Sequence, residues 1–199
     1  MCGIAGYYGH KFISKKVLKN TIDLMKSRGP DYSDYYSHIK DNQRVNLLHS
    51  RLSIIDIKKR SNQPFVIGNY IIIFNGEIYN FKELRQKLIN QKINFSTSSD
   101  TEVLLRYFIK YNEKCLDFFE GMWSFAIYNK LNGELFLARD RFGEKPLYYG
   151  ILKNERSLNK RNLIFGSELS AFKSLSSCLI PINPSALSSF FQYGCIPSK

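Results

Sequence analysis

The second half of the chain restricts the fold most, because it contains four short apolar runs in close succession. After Gly121 come MWSFAIYN, ELFLARD, LYYGIL and LIFGSE, separated by turn residues and, over residues 152–162, by a polar loop. Runs of this length and spacing are typical of antiparallel strands. Strand-like segments also open the chain and two helices follow them, so we expect an α+β or layered α/β fold with antiparallel sheets packed under helices.

Hydrophobic periodicity and capping patterns predict the remaining elements. Besides an N-terminal strand, further strands are predicted over residues 31–39, 45–57, 70–74 and 93–97, with Asn75-Gly76 ending the third of these. Helices are predicted over residues 14–27, from Asn80, from Ser98-Ser99-Asp100, and over residues 168–175. The helix from Asn80 has Glu83 three residues on, which is the pattern of a capping box.

The composition is that of a soluble globular protein, with 44% hydrophobic and 23% charged residues among 199. The longest purely aliphatic and aromatic run covers only residues 70–74, which is too short to span a membrane, and no basic segment precedes the first apolar stretch as in a secretory signal. The cysteines at positions 2, 115, 178 and 195 form no CxxC pair. We therefore expect neither a metal site nor a redox pair, and assign the chain to a reducing cytoplasm.

The net charge of +12 raises the question of a nucleic-acid partner. The basic residues are mostly scattered lysines, and the densest cluster, Lys58-Lys59-Arg60, has no aromatic residues interleaved with it. A solvated, lysine-rich surface therefore explains the charge better than nucleic-acid binding does.

Cys2 has the most distinctive chemistry, because it lies directly behind Met1. If Met1 is removed, Cys2 carries both a thiol and a free α-amine. The thiolate is the nucleophile, and an amine with a pKa of about 7.7–8 can take the thiol proton. One residue then supplies nucleophile and base, although the stretch taken alone is more typical of a small buried residue at the start of a strand.

Amide cleavage by a thiol also needs hydrogen-bond donors for the oxyanion. Asn75 and Gly76 follow the apolar run IIIF, where the Asn75 side-chain amide and the Gly76 N–H can point at one oxygen. The alternative is a hairpin, since Asn-Gly between apolar runs is the strongest short hairpin signal. Local evidence favours the hairpin.

Three charged residues each have a functional and a structural interpretation. Arg51 offers a fork that matches a carboxylate, or is an exposed arginine at a strand edge. Asp100 offers an oxygen to an ammonium group, or caps the helix that follows it. Glu77 is a second candidate for the ammonium group, or an exposed turn residue. We interpret His49 as a structural hydrogen-bonding residue and residues 139–146 as a salt-bridged turn.

The motifs occur in an order that resembles a known family. They are MCGIAG, RGPD, HSRLSIID, Gln63-Pro64, FNGEIYN, SDTEVLL, GMWSFAIYN, ARDRFGEKPLYYG and FGSEL. This set resembles the type 2 glutamine amidotransferase domain of glutamine-hydrolysing asparagine synthetases, over nearly the whole chain. The resemblance implies an α+β fold, a four-layer αββα sandwich of the N-terminal nucleophile (Ntn) hydrolase type.

The resemblance also implies roles for individual residues. Cys2 would be the nucleophile, Asn75 and Gly76 the oxyanion hole, and Arg51 the group that holds the α-carboxylate of glutamine. The other residues expected around the substrate are Leu52, Ser53, Ile54 and Ile55, which line the pocket, and Glu77 and Asp100, which lie near the α-ammonium group. Neither a metal ion nor a cofactor is implied for this domain.

The resemblance predicts an amidotransferase domain over residues 2–178 and the start of an ATP-dependent synthetase domain over residues 179–199. The SGGxDS pyrophosphate loop of the synthetase domain is absent from this sequence, so we expect a domain fragment. The implied reaction hydrolyses L-glutamine to glutamate and ammonia through a cysteine thioester. In the whole protein, ammonia would amidate aspartate, or another carboxylate, with ATP and magnesium.

The implied partners are glutamine, a C-terminal synthetase domain and, as an open alternative, a second copy in a homodimer. Neither nucleic acid nor a membrane is expected. A different interpretation is a non-catalytic amidotransferase-like module that only positions a synthetase or another partner.

Overall fold

Nine strands form two antiparallel sheets in the computed structural model, which describes residues 1–153, 161–176 and 182–196. The strands are β1 Gly3–Gly9, β2 Tyr32–Lys40, β3 Gln43–Arg51, β4 Phe65–Ile67, β5 Tyr70–Ile78, β6 Gly121–Asn129, β7 Leu135–Arg139, β8 Tyr148–Lys153 and β9 Arg161–Gly166. One sheet has the order β2-β3-β1-β9-β8 and the other β4-β5-β6-β7. The strand that follows Cys2 therefore lies in the centre of the larger sheet.

Five helices accompany the sheets in these residues. They are α1 Lys15–Met25, α2 Phe81–Asn90, α3 Asp100–Tyr111, α4 Leu169–Ser176 and α5 Pro184–Tyr193, with short 3-10 turns at Lys59–Ser61 and Asn112–Phe118. None of the helices in the described ranges has the length and apolar character needed to cross a bilayer.

Three apolar clusters separate four layers. Leu18 of α1 and Ala171 of α4 pack on the outer face of the five-stranded sheet. Leu84 of α2 and Leu104 of α3 pack on the outer face of the four-stranded sheet. A third cluster, which includes Ile4, Leu47, Ile73 and Ala126, fills the space between the two sheets. The predicted four-layer αββα sandwich is confirmed.

The apolar run in β5 reflects this layering. Ile71 and Ile73 face the other sheet, whereas Ile72 and Phe74 face the helices, and all four are at most 2% exposed. A strand that is buried on both faces shows a continuous apolar run rather than an alternating one.

The helix starts agree only partly with the sequence patterns. Ser14 caps α1, as its hydroxyl accepts a hydrogen bond from Val17 N. The capping box predicted at Asn80 is wrong, because the Asn80 side chain makes no bond to its own helix. Its Nδ2 donates to Phe118 O at 2.9 Å and its Oδ1 accepts from Glu120 N at 3.2 Å. Asn80 therefore joins the start of α2 to the segment before β6.

Two strand predictions are also wrong. The strand expected over residues 45–57 ends at Arg51, and residues 93–97 form no strand. In the second case the amides of Ser96 and Thr97 donate to the carboxylate of Glu102, a fully buried side chain. A buried carboxylate needs such donors, and they take the place of a strand ladder.

Some predictions fall outside the described residues. Residues 154–160, which make up most of the predicted loop at 152–162, are among them. Residues 177–181 are also outside, and they include Cys178 and the predicted domain boundary after residue 178.

Candidate active site

The space between the sheets changes from apolar to polar at one end. Along β1, β3, β5 and β6, every second side chain faces the opposite sheet. The apolar residues on this face include Ile4, Leu47, Ile73 and Ala126. Two positions further along, on the same face, the residues are Cys2, His49, Asn75 and Ser124, respectively. The alternation of the strands therefore brings polar groups from distant parts of the sequence to one end of the sandwich.

A pocket opens at this end and collects almost all the predicted site residues. Its lining includes Cys2, Arg51, Leu52, Ile54, Ile55, Asn75, Gly76, Glu77 and Asp100. Ser53 does not line the pocket, and its N–H donates to Asp31 Oδ2 at 2.7 Å. The resemblance implies that the whole segment 52–55 lines the pocket, whereas Leu52, Ile54 and Ile55 are the members of this segment that do so.

Cys2 is held at both its thiol and its backbone. The Leu52 N–H donates to Sγ at 3.4 Å, and Arg28 Nε donates to the Cys2 carbonyl oxygen at 3.0 Å. Arg28 also forms an ion pair with Glu168 at 3.6 Å. Burial raises the pKa of the Cys2 thiol, although the Leu52 hydrogen bond and the nearby N-terminal and Arg51 charges oppose this. The thiol therefore needs a base that removes its proton.

Asn75 and Gly76 lie inside a strand rather than in a hairpin turn. β5 continues to Ile78 and pairs Asn75 with Ser124 and Gly76 with Trp123. A Cβ at position 76 would come within 2.2 Å of Met122 O and 2.7 Å of the Trp123 Cα, so glycine permits the close approach of β6. The hairpin interpretation is wrong.

The Asn75 side chain is 1% exposed, and its Nδ2 has no hydrogen-bond partner among the described residues. A buried amide nitrogen without an acceptor is costly unless a ligand or a rearrangement supplies one. Asn75 is one of the residues that line the pocket that contains Cys2.

Asp100 occupies the first turn of α3, but it is not the N-cap. Ser99 caps the helix by accepting a hydrogen bond from Glu102 N, whereas the Asp100 carboxylate accepts from Ile78 N at 3.2 Å and Thr101 N at 2.9 Å. Burial raises the pKa of Asp100 to about 6, and these two amides only partly oppose it. The half-buried Glu77 lies nearby, and its negative charge raises the pKa of Asp100 further.

Arg51 is 5% exposed, so it is not an exposed edge residue. Its Nη1 donates to Lys58 O and to Asn62 Oδ1 at 2.8 Å, and its Nη2 donates to Ile55 O and to Asp56 O at 2.6 Å. These four bonds engage the terminal nitrogens of the guanidinium. Arg51 therefore shapes the loop of residues 52–62, which supplies one wall of the pocket.

Asp56 fastens the same loop to the segment before α3. Its side chain is 3% exposed and accepts from Ser98 N at 2.6 Å and from Arg60 Nε at 3.0 Å. Burial opposes ionisation, but the bonds from Ser98 and Arg60 outweigh it and lower the pKa of Asp56 to about 2. Asp56 therefore ties the loop to the segment that precedes α3.

His49 is confirmed as a structural residue. Its Nε2–H donates to Phe74 O at 3.1 Å and so connects the two sheets. Burial lowers the pKa of His49 to about 3, so the ring is neutral at neutral pH.

The turn over residues 139–146 is structural, but it is not salt-bridged. Asp140 accepts from the amides of Trp123, Glu144 and Lys145, and no ion pair of the described chain involves this turn. Burial raises the pKa of Asp140, but these amides outweigh that effect and the pKa lies below its usual value.

Two further residues of the pocket wall are absent from the predicted site. Lys145 is 5% exposed, lines the pocket, and donates from Nζ to Met1 Sδ at 3.2 Å. Gln63 also lines the pocket, where its Oε1 accepts from Phe74 N at 2.7 Å. Both residues belong to the ordered motifs, which was the only signal for them. In the described residues, no cluster of His, Cys, Asp and Glu is arranged to hold a metal ion.

The likeness to known proteins agrees with this site. The chain is 34% identical to a putative asparagine synthetase [glutamine-hydrolyzing] 2 of Methanocaldococcus jannaschii, covering all of this chain and 40% of that protein. It is 33% identical to asparagine synthetase [glutamine-hydrolyzing] 3 of Bacillus subtilis, covering all of this chain and 31% of that protein. The chain therefore spans well under half the length of these relatives.

Among solved structures, the glutamine phosphoribosylpyrophosphate amidotransferase of Bacillus subtilis, complexed with ADP and GMP, has a similar fold. The TM-score is 0.71 at 20% identity, over 88% of this chain and 44% of that chain. This likeness supports the Ntn-type fold. The glutamine amidotransferase domain family matches residues 1–199. The chain belongs to the glutamine amidotransferase domain family.

Proposed function

We propose that this chain hydrolyses glutamine to glutamate and ammonia, with Cys2 as the nucleophile. The observation that carries the proposal is the position of the Cys2 thiol in one pocket with Asn75, Gly76 and Asp100. These groups come from the N-terminus, β5 and α3, and only the packing of the two sheets brings them together.

The reaction follows from the chemistry of an N-terminal cysteine. After removal of Met1, the α-amine of Cys2 takes the thiol proton, and Sγ attacks the side-chain amide carbon of glutamine. The protonated α-amine of Cys2 then gives its proton to the departing amide nitrogen. The C–N bond breaks, and ammonia leaves. Water, deprotonated by the same amine, cleaves the γ-glutamyl thioester to give glutamate and the free thiol.

The burial of Cys2 supports the need for an adjacent base. Because burial raises the pKa of the thiol, little thiolate is present before the reaction. His49 cannot take the proton, since both its burial and its hydrogen bond to Phe74 O commit it to a structural role. The α-amine is the group that the sequence places closest to the thiol.

Charged residues around the pocket suit the two ends of the amino acid. Asp100 and Glu77 are the carboxylates available for the α-ammonium group. Arg51 is the cation proposed for the α-carboxylate. Since its terminal nitrogens are bonded to the loop, it would have to exchange some of these bonds for the substrate. The loop carbonyls would then turn to solvent, beside the exposed residues Ile54 and Ile57.

For the whole protein, we propose that ammonia amidates aspartate, or a related carboxylate, activated with ATP and magnesium in a following synthetase domain. The names of the two relatives support this, as does their greater length. Helix α5 supports a separate unit after residue 178, because it has no buried residue and exposes Phe190 and Phe191.

The test is a glutaminase assay on purified protein. Intact-mass measurement first verifies that Met1 has been removed from it. We expect glutamate and ammonia to form without ATP, and Cys2→Ala to abolish turnover while glutamine still binds. Cys195→Ser is the matched control, because Cys195 is an exposed thiol and its loss should leave the rate unchanged. Full activity in protein that retains Met1 would contradict the role of the α-amine, and inactivity of the processed protein would favour a non-catalytic module.

A further inference from the structure

Three buried polar atoms between the sheets have no hydrogen-bond partner in the described part of the chain. They are His49 Nδ1, Asn75 Nδ2 and Ser124 Oγ. The three residues are at most 1% exposed, so bulk water does not satisfy them. Buried polar groups are nearly always paired, so this unpaired set, of which Asn75 lines the pocket, calls for an explanation.

Asn75 and Ser124 are direct neighbours. They lie opposite each other in the β5–β6 ladder, so both side chains point to the same face, toward the other sheet. Side chains in such a pair have Cβ atoms about 4.5–5.5 Å apart. A serine hydroxyl can therefore reach the carboxamide of the facing asparagine by rotation of its own side chain.

The chemistry of the three atoms decides which of them can orient the amide. An oxyanion hole needs the amide nitrogen, a donor, to face the pocket, which places the amide oxygen Oδ1 toward the interior. The interior must then supply a donor for Oδ1. His49 Nδ1 cannot, since the ring proton lies on Nε2 and is donated to Phe74 O. The Ser124 hydroxyl can donate.

The two ends of a carboxamide have nearly the same shape, so turning the Asn75 amide by half a turn exchanges nitrogen and oxygen without a change in packing. Together with a rotation of the Ser124 side chain, this turn pairs Oδ1 with the Ser124 hydroxyl and lets Nδ2 face the pocket beside Cys2.

We infer that Ser124 is a positioning residue for glutamine hydrolysis: its hydroxyl donates to Asn75 Oδ1 and so holds Asn75 Nδ2 toward the oxyanion. The inference rests on the proposed function, in which Asn75 stabilises the oxyanion. Ser124 does not touch the substrate, and it acts through the orientation of its cross-strand neighbour.

The test is a double-mutant cycle in kcat and KM for glutamine, measured per correctly processed active site. Asn75→Ala should lower kcat about 10²–10³-fold. Ser124→Ala removes one neutral hydrogen bond, so it should lower kcat about three- to tenfold and leave KM within about twofold. In the Asn75→Ala background, Ser124→Ala should have no further effect on kcat, because the amide that it orients is gone.

Ser50→Ala is the matched control. Ser50 is fully buried, its Oγ accepts from Ser33 at 3.2 Å, and its side chain faces away from the space between the sheets. It should alter the melting temperature but not kcat, which separates a positioning effect from a loss of folded enzyme.

Each outcome decides a different point. If Asn75→Ala lowers kcat and Ser124→Ala does not, Ser124 does not orient the amide, and the inference is overturned while the proposed function stands. Equal losses for Ser124→Ala in the two backgrounds would also overturn it. If Asn75→Ala keeps full kcat, the oxyanion role of Asn75 is refuted, and the inference with it.

Discussion

Asp100 gives the sharpest test of how the pocket recognises glutamine. Its carboxyl is buried, and burial moves its pKa from 3.8 to about 6. A carboxylate that binds the α-ammonium group must be ionised, so glutamine binding should depend on the protonation of this one residue. Glutamine itself does not titrate between about pH 5 and pH 7, so the dependence would belong to the protein.

The size of the effect follows from the shifted pKa. A rise from 3.8 to about 6 corresponds to about 3 kcal/mol of unfavourable free energy for the ionised form in the folded protein. Because the folded pKa is raised, this cost is absent below about pH 4, grows as the pH rises from about 4 to about 6, and is complete above that. About one tenth of Asp100 is ionised at pH 5, so the Kd for glutamine should rise about tenfold between pH 7 and pH 5.

Calorimetric binding to Cys2→Ala protein measures this without interference from the chemical step. Asp100→Asn should bind more weakly at pH 7 and lose the dependence near pH 6, whereas Glu77→Gln, a change at the neighbouring carboxylate, should keep it. A Kd that does not change between pH 5 and pH 7 would refute the assignment. So would an unaltered pH dependence in Asp100→Asn.

Three further changes test the architecture around the pocket. Arg51→Lys keeps the charge but cannot make the four hydrogen bonds of the guanidinium. We therefore expect KM for glutamine to rise at least about tenfold and the melting temperature to fall. A changed KM with an unchanged melting curve would contradict the role of Arg51 in holding the loop of residues 52–62. Gly76→Ala should lower the free energy of unfolding by about 1–3 kcal/mol in denaturant titrations, since its Cβ meets backbone, whereas Gly150→Ala, which meets only a flexible phenylalanine ring, should cost less. Asp56→Asn should remove stability that is present above about pH 4 and is lost as the pH falls through about 2. If variant and parent unfold at the same pH in an acid titration, the Asp56 carboxylate does not stabilise the loop through its bonds to Ser98 and Arg60.

Elements with strong periodicity could be predicted from the sequence. Helices α1 and α3 and the four strands after Gly121 occur where the patterns place them. Local signals failed where a distant segment supplies the partner. Asn75-Gly76 has the composition of a turn, but β6 pairs with it from nearly fifty residues away and holds it in a strand.

The sequence was sufficient to predict which residues form the site, but not which hydrogen bonds they make. The ordered motifs identified nine residues that do line one pocket. They could not show that the guanidinium of Arg51 is bonded to its own loop, because these partners depend on the path of residues 55–62 after the strand ends. Ser124 had no local signal at all, since its significance comes only from its register with Asn75.

The central place of β1 has a consequence for synthesis on the ribosome. β1 pairs with β3 on one side, and on the other with β9, where Ala5 lies opposite Gly166. The first partner is available once residue 51 has emerged, but the second is made more than one hundred residues later. Until then, a nascent chain carries its reactive thiol beside an unpaired strand edge, which is a template for pairing with other chains. Translation that stalls between β3 and β9 should therefore yield fragments prone to aggregation through the edge of β1.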